Sequence, residues 1–299
     1  MKVVHVITGL HVGGAESMLL KLLETMDRAR FEPVVVSLMR GGENRPRVEA
    51  AGIPVHDLGL QAGLPGPGAV LELRRLARRL RPDVVQGWMY HGNLAASLLG
   101  FFAPGGTATI WNVRHSVADL GREKRGTRLA IRAGAVMSGR PRKIIYNSRQ
   151  SLEQHGGLGF RRDKGLMIPN GFDLDRFRPS PAAREKLRDE LDLPRDTRLV
   201  GVAARRHPMK GHEEFLQAAG RMASGDANLH FLLVGRGVTA DDPVLRDLAG
   251  QPALEGRVHL LGQRADMPDF LAALDLLCLP SLYGEGFPNV IGEAMACGV

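Results

Sequence analysis

Lys2-Val3-Val4-His5-Val6-Ile7-Thr8-Gly9-Leu10-His11-Val12-Gly13-Gly14-Ala15-Glu16 stands at the start of the chain, and its reading decides the fold. Val3–Ile7 is a β-branched run broken only by His5, and a glycine-bearing turn leads from it into the amphipathic stretch Ala15–Met26. A short apolar run, a tight turn and then helical periodicity make the unit from which parallel sheets are built. The stretch also has the outline of a short signal peptide. However, His5 interrupts the apolar run, and Gly13-Gly14-Ala15-Glu16 occupies the place of a cleavage region. A first buried strand fits better.

The same unit then recurs. Pro33–Leu38, Val84–Gly87, Thr109–Val113 and Lys143–Tyr146 read as strands, and Val70–Leu80, Gly92–Phe101 and Gln150–His155 as the helices among them. The turn-rich segment Ile168–Pro179 interrupts the alternation, and about ten charged, helical residues follow it. Strands are expected again at Leu199–Ala203, His230–Val234, Val258–Leu260 and Leu276–Leu279, with helices at His212–Met222, Pro243–Leu248 and Asp266–Leu274. The fold class expected is therefore α/β: two Rossmann-like domains facing a cleft, residues 1–170 and 171–299, the second apparently incomplete. In such sheets ligands bind beyond the carboxyl ends of the strands, so the residues that matter should directly follow strands.

Composition narrows the partners. The 299 residues suit two domains at roughly 100–200 residues each, and a formal charge of +8 favours anionic partners. Arg74, Arg75, Arg78, Arg79 and Arg81 share one helix, and a looser basic region runs from Arg114 to Lys143. Both fit either a solvated face or contact with an anionic membrane surface, where each basic residue adds about 1 kcal/mol. Nucleic acid fits poorly, because only 5% of residues are aromatic and none interleaves with the basic runs as a stacking platform. Cys278 and Cys297 lie in apolar surroundings without metal-type spacing and read as thiols in a reducing compartment. The longest apolar stretch, Leu94–Ala103, is far short of the ~20 residues that span a bilayer. A cytoplasmic protein is expected, with at most a peripheral association with the inner face of a membrane.

Three strand-following segments carry chemistry. Gly13 and Gly14 let a backbone approach a ligand at the start of a helix, or simply make a tight turn; the G-x-G-x-x-G dinucleotide spacing is absent. Arg205 and Lys210 flank one loop and can converge on a diphosphate, one as a planar fork and the other as a point charge; the alternative is two solvated cations. The third segment runs from Pro280 to Glu293. Glu285 and Gly286 lead through Phe287 to Pro288, a good helix start, so that backbone N–H groups at Asn289, Val290 and Ile291 would face a phosphate. Glu293, a turn further on, could reach hydroxyls of a sugar or ribose, unless the two acids are a capping and solvent-facing pair. His91 and His115 both follow strands and could line the cleft or serve structure. Asp173-Leu174-Asp175 matches a metal motif, but its place in the linker favours a turn, and no metal is expected.

These segments together resemble the retaining GT-B glycosyltransferases, specifically glycosyltransferase family 4. Gly13-Gly14-Ala15-Glu16 is similar to that family's first glycine loop, and Ile168-Pro169-Asn170-Gly171-Phe172-Asp173 to its interdomain signature. Arg205 with Lys210-Gly211 resembles its basic pair, and Glu285 to Glu293 its E-x7-E motif, followed by Glu-Ala-Met-Ala-Cys-Gly. The resemblance implies transfer of a hexose from a nucleotide-diphosphate sugar to a lipid-linked or polysaccharide acceptor, with retention and without bound metal or other cofactor. It implies that Arg205 and Lys210 hold the donor diphosphate, Glu285 the transferred sugar and Glu293 the ribose. His91 would line the sugar site, Gly14 would bring its N–H to the diphosphate or acceptor, and Gly262 to Arg264 would lie beside the base. Two-domain nucleotide-sugar epimerases and non-catalytic nucleotide-sugar-binding modules remain alternatives.

Two departures matter. Arg236 stands where many members carry an acid, and the family normally continues past Val299. A polypeptide ending there would lack several core side chains, each worth about 1.5–3 kcal/mol, and is expected to be poorly stable or inactive. Acceptor specificity is expected in two variable loops, Gly59–Gly68 and Val117–Arg142.

Overall fold

A computed structural model describes residues 1–60 and 67–299. The chain forms two compact units, Met1–Asn170 and Gly171–Val299.

The first unit is a seven-stranded parallel sheet. Along the chain it contains β1 (Lys2–Ile7), α1 (Gly14–Thr25), β2 (Glu32–Ser37), α2 (Arg45–Ala50), β3 (Val55–Asp57), α3 (Pro67–Leu80), β4 (Val84–Trp88) and α4 (Met89–Phe102). It continues with β5 (Ala108–Val113), α5 (Arg125–Met137), β6 (Lys143–Tyr146), α6 (Arg149–Gly157) and β7 (Gly165–Met167). The strand order is β3-β2-β1-β4-β5-β6-β7. Central strands are rich in Val and Ile because helices cover both faces. Val4, Val6, Val34, Val36 and Val85 pack against Leu73, Leu76 and Ala77 of α3 and Ala95, Ala96 and Leu99 of α4. The alternate residues Ile7 and Val35 meet Met18, Leu19, Leu20 and Leu23 of α1, as the period of two requires.

The second unit comprises α7 (Pro181–Glu190), β8 (Arg198–Ala203), α8 (His212–Ala223), β9 (Leu229–Val234), α9 (Pro243–Ala249), β10 (Val258–Leu260), α10 (Met267–Ala273), β11 (Leu276–Leu277) and α11 (Asn289–Ala296). Its parallel sheet has the order β10-β9-β8-β11. Leu199, Leu232 and Val234 face Leu187, Phe270, Leu271 and Ala294, while Val200, Val202, Phe231 and Leu233 face Phe215, Leu216, Ala219 and Leu245. Arg188 on α7 is fully buried: its guanidinium donates to the carbonyls of Thr197 and Ala273 and pairs with Asp275 at 2.9 Å.

The structure adds elements that the sequence pattern does not announce. β3 and β7 are three-residue strands at the sheet edges. The stretch 117–142, expected as a loop, contains helix α5, whose buried face is the small set Ala130, Ile131 and Gly134. The other expected loop, Gly59–Gly68, falls largely outside the described residues. Helix α4 begins at Met89 rather than Gly92, because Met89 takes a left-handed φ of 61° and turns the chain from strand to helix without a loop.

Uncharged polar groups lie inside the first unit. Trp88 Nε1 donates to His5 Nδ1 at 3.3 Å, and Tyr90 Oη bonds His155 Nε2 at 2.9 Å. Burial lowers both imidazoles to about 4, from an ordinary 6.5. With folded values depressed, their contribution is complete above about pH 6.5 and is lost as the pH falls toward 4, at up to about 1.4 kcal/mol per pH unit for each. Urea unfolding followed by tryptophan fluorescence should therefore show a midpoint that drops between pH 7 and about 4.5. His155→Gln should flatten part of that drop, and a midpoint independent of pH in this window would count against neutral buried imidazoles.

Candidate functional site

The strand order locates the crevices. In the second unit β8, β9 and β10 run to one side, and the chain then returns to the other side of β8 as β11. The order thus reverses between the carboxyl ends of β8 and β11, where ligands bind in open parallel sheets. The loops that emerge there are 204–211 and 278–288, which carry Arg205, Lys210 and Glu285.

These loops are bonded to each other. Leu282 N–H donates to the Met209 carbonyl at 2.8 Å. Gly211 has a left-handed φ of 65°, and a Cβ there would stand 2.1 Å from the Pro280 carbonyl oxygen. Only glycine permits that backbone with that neighbour. Lys210 closes a single 3-10 turn, Pro208–Lys210, whose start is capped by His207 Nδ1 accepting from Met209 N–H at 3.2 Å. The Lys210 ammonium forms an ion pair with the Glu285 carboxylate, which also accepts from the Ser281 hydroxyl at 2.8 Å. Arg205 is exposed and has no ion pair among the described residues. Its neighbour Arg206 differs: Asp242 at 2.7 Å and Glu213 at 2.9 Å engage it.

Helix α11 starts beside this pair. Pro288 precedes it, and no side chain caps its N-terminus. The Ile291 N–H turns back to the Pro288 carbonyl at 3.2 Å, which leaves Asn289 and Val290 as the first amides of the helix. Glu293 is half-buried on the same helix. Between the two acids lies Gly292, where a Cβ would stand 2.2 Å from the Phe172 ring. Phe172 also packs against Phe287 at 6.1 Å between ring centroids. Part of the segment 168–173 thus acts through its phenylalanine, which supports the floor of the acidic loop. Asp173 makes a turn, as its Oδ1 accepts from the Asp175 and Arg176 N–H groups.

At the end of β10, Gly262 accepts from Gly235 N–H at 2.7 Å and donates to the Val238 carbonyl at 2.9 Å. The Arg264 guanidinium is occupied, bound in bidentate fashion to Glu190 (2.6 and 3.0 Å) and also to Asp266 (2.9 and 2.7 Å). Those two carboxylates raise its pKa still higher, so Arg264 braces the loop against α7 and has little left to offer a ligand.

In the first unit the order reverses between β1 and β4. Gly13 precedes α1 with an extended backbone, where a Cβ would meet the Glu16 carboxylate, and Gly14 begins the helix with open space where a side chain would be. Asn44 holds this loop, its Nδ2 donating to the His11 carbonyl at 2.8 Å and its N–H to the Leu10 carbonyl at 2.9 Å. His91 lies in the first turn of α4, half-buried, and burial lowers its pKa so that it is neutral near pH 7. His115 instead bonds Glu123 at 2.8 Å. The bond of Ser281, the packing of Phe172 and the role of Asn44 escape a sequence reading because their partners are remote in the chain or, for Ser281, because a lone serine carries no signal. Among the described residues no three His, Cys, Asp or Glu side chains gather as metal ligands.

Two Rossmann-like units with crevices furnished in this way define the GT-B class of α/β proteins. The chain belongs to glycosyltransferase family 4: the family model described as "Glycosyltransferase Family 4" matches residues 12–176, more than half of the chain, and that of "Glycosyl transferases group 1" matches 197–299. The structure of HepE from Anabaena in complex with UDP superposes with a TM-score of 0.83 at 26% identity, covering 100% of this chain and 79% of that one. The putative glycosyltransferase EpsF of Bacillus subtilis is 28% identical over 144 residues, 48% of this chain and 37% of that protein. The D-inositol 3-phosphate glycosyltransferase of Mycobacterium tuberculosis is 33% identical over 162 residues, 52% of this chain and 32% of that protein. The chain thus matches only about a third of the length of these curated relatives.

The glycines give a contrasted test. Gly211→Ala should cost about 1–3 kcal/mol, through a strained backbone and the displaced 280 loop. Gly14→Ala should be neutral or stabilising by up to about 1 kcal/mol. Denaturant unfolding of both variants measures this, and equal losses would refute the packing described around Gly211.

Proposed function

We propose that this chain transfers a hexose from a nucleoside-diphosphate sugar, of the UDP-hexose type, to a lipid-linked or saccharide acceptor with retention of anomeric configuration. The observation that carries this reading is the ion pair between Lys210 and Glu285 at the switch point of the second sheet, beside the unpaired Arg205 and the start of α11. HepE, which is bound to UDP or UDP-glucose in its solved structures, supports the choice of donor.

In this reading the diphosphate takes Lys210 away from Glu285 and draws Arg205 onto its oxygens. The Asn289 and Val290 amides face a phosphate at the positive end of α11. Released from the ammonium, Glu285 accepts from hydroxyls of the transferred sugar, and Glu293 does so from the ribose. Gly286, Phe287 and Pro288 form the wall between these acids, and the 262–264 segment lies beside the base, contributing backbone while Arg264 braces it. His91, neutral, hydrogen-bonds the sugar, and the Gly13-Gly14 turn offers N–H groups. As the bond from anomeric carbon to phosphate oxygen breaks, negative charge grows on the β-phosphate, where these two cations stabilise it. The acceptor hydroxyl attacks from the same face, and its proton passes to the departing phosphate oxygen. No enzymatic nucleophile and no metal enter the scheme.

A lipid-linked acceptor is supported by α5. Arg125, Leu129, Arg132 and Val136 follow one another at helical spacing along one stripe, with Leu129 52% and Val136 88% exposed. An apolar stripe set among arginines suits an anionic bilayer surface. No described helix is long and apolar enough to cross a membrane.

Two measurements test the reading. Lys210→Ala should weaken UDP binding by roughly ten- to a hundredfold in calorimetry, the worth of a charge-assisted bond, while uridine binding barely changes. Equal losses for the two ligands would make the lysine structural. The protein should also sediment with phosphatidylglycerol vesicles at about 10 mM salt and be released at high salt. Leu129→Asp with Val136→Asp should abolish that sedimentation, and absence of wild-type binding at low salt would remove the membrane surface from the proposal.

A further inference from the structure

Arg114 is a half-buried cation without an acid. It follows β5 on the carboxyl edge of the first sheet. Among the described residues no carboxylate lies within ion-pair distance of it; Glu123, the nearby acid on the same loop, is taken by His115. Neutral groups hold the side chain instead. Its Nε donates to Asn112 Oδ1 at 3.0 Å, and one Nη1 proton goes to Asn170 Oδ1. The guanidinium carbon lies 5.5 Å from the centre of the Trp88 ring. A guanidinium has five N–H donors; two are used here, which leaves three, both on Nη2 and one on Nη1.

The mount is rigid. Asn112 is clamped by Asn93 on α4, whose Oδ1 accepts the Asn112 N–H at 3.2 Å and whose Nδ2 donates to the Asn112 carbonyl at 3.4 Å. Trp88 is fixed by its bond to His5, and the Arg114 N–H is directed at Met89 Sδ. Burial without a counter-charge lowers the guanidinium to about 10, the mark of a cation that lacks an anion. Three other buried or half-buried arginines are compensated by carboxylates: Arg188 by Asp275, Arg206 by Asp242 and Glu213, Arg264 by Glu190 and Asp266.

We propose that Arg114 is the core of an anion-binding site in the first unit, which takes a phosphate or carboxylate group of a ligand through the free fork of its guanidinium. The fork of Nη1 and Nη2 matches two oxygens of either group. Assigning that group to the acceptor rests on the transfer reading above, and implies that the acceptor is a sugar phosphate or an acidic sugar. The anion site itself stands without that reading.

Calorimetry on the full chain with saturating UDP tests it, using glucose 1-phosphate, glucuronate and glucose as probes. The anionic sugars should bind at least about tenfold more tightly than glucose, and comparison of the two identifies phosphate or carboxylate as the better fit. In Arg114→Gln the preference should fall to about one, whereas Arg114→Lys, which keeps charge and stem but not the fork, should retain a fraction of it. A thermal melt of each variant checks folding, and the lysine variant carries the test if glutamine unfolds the unit. An unchanged preference in folded Arg114→Gln, or its loss in Lys210→Ala instead, would overturn the site. Failure of UDP itself to bind would count against the donor reading alone, since the comparison of Arg114 variants is then made without nucleotide.

Discussion

The contact between Gly211 and the Pro280 carbonyl oxygen sets the geometry of the second unit's crevice. Because residue 211 has no side chain and a left-handed backbone, the loops that follow β8 and β11 lie against each other. Only then does the Leu282 N–H reach the Met209 carbonyl, and only then do Lys210 and Glu285, 75 residues apart, share a proton-donor and acceptor pair. A half-buried ion pair has to offset its own desolvation, and it does so where geometry is held and remaining lone pairs are satisfied. Here the Ser281 hydroxyl supplies that extra bond to Glu285.

The two units solve the burial of polar groups differently. The fully buried polar side chains of the first are neutral, such as His5, which bonds Trp88, His155, which bonds Tyr90, and Asn93 with Asn112. The second uses charges joined in clusters, with Arg188, Arg206 and Arg264 each meeting one or two carboxylates. Neutral networks need no counter-charge but tolerate no extra proton, whereas ion-pair clusters tie elements together across the chain, as Arg264 ties the loop after β10 to α7.

What could be read from the residues, and what could not, follows from these physics. The central strands were legible because burial on both faces demands nearly continuous apolar runs, as in Val3–Ile7 and Leu229–Val234. Edge strands β3 and β7 carry no such demand. Helix α5 escapes because Ile131 is the one large residue among its fully buried positions, beside Ala130 and Gly134, while the large apolar Leu129 and Val136 face outward. The place of Arg205, Lys210 and Glu285 was legible because each lies on a loop that directly follows a strand announced by the alternating pattern. Their pairings were not: nothing local in the sequence separates Arg205, which is exposed, from Arg206, which is locked, or foretells that Phe172 would press on Gly292.

The pairing of Lys210 with Glu285 has a consequence for which molecules can enter. The Glu285 carboxylate already occupies the lysine. Any visitor must outcompete it, and a single weakly held anion has little with which to do so. A molecule that also supplies hydroxyls for the displaced carboxylate loses nothing in the exchange. The ion pair thereby disfavours single solution anions relative to any ligand that carries an anionic group and hydroxyls together.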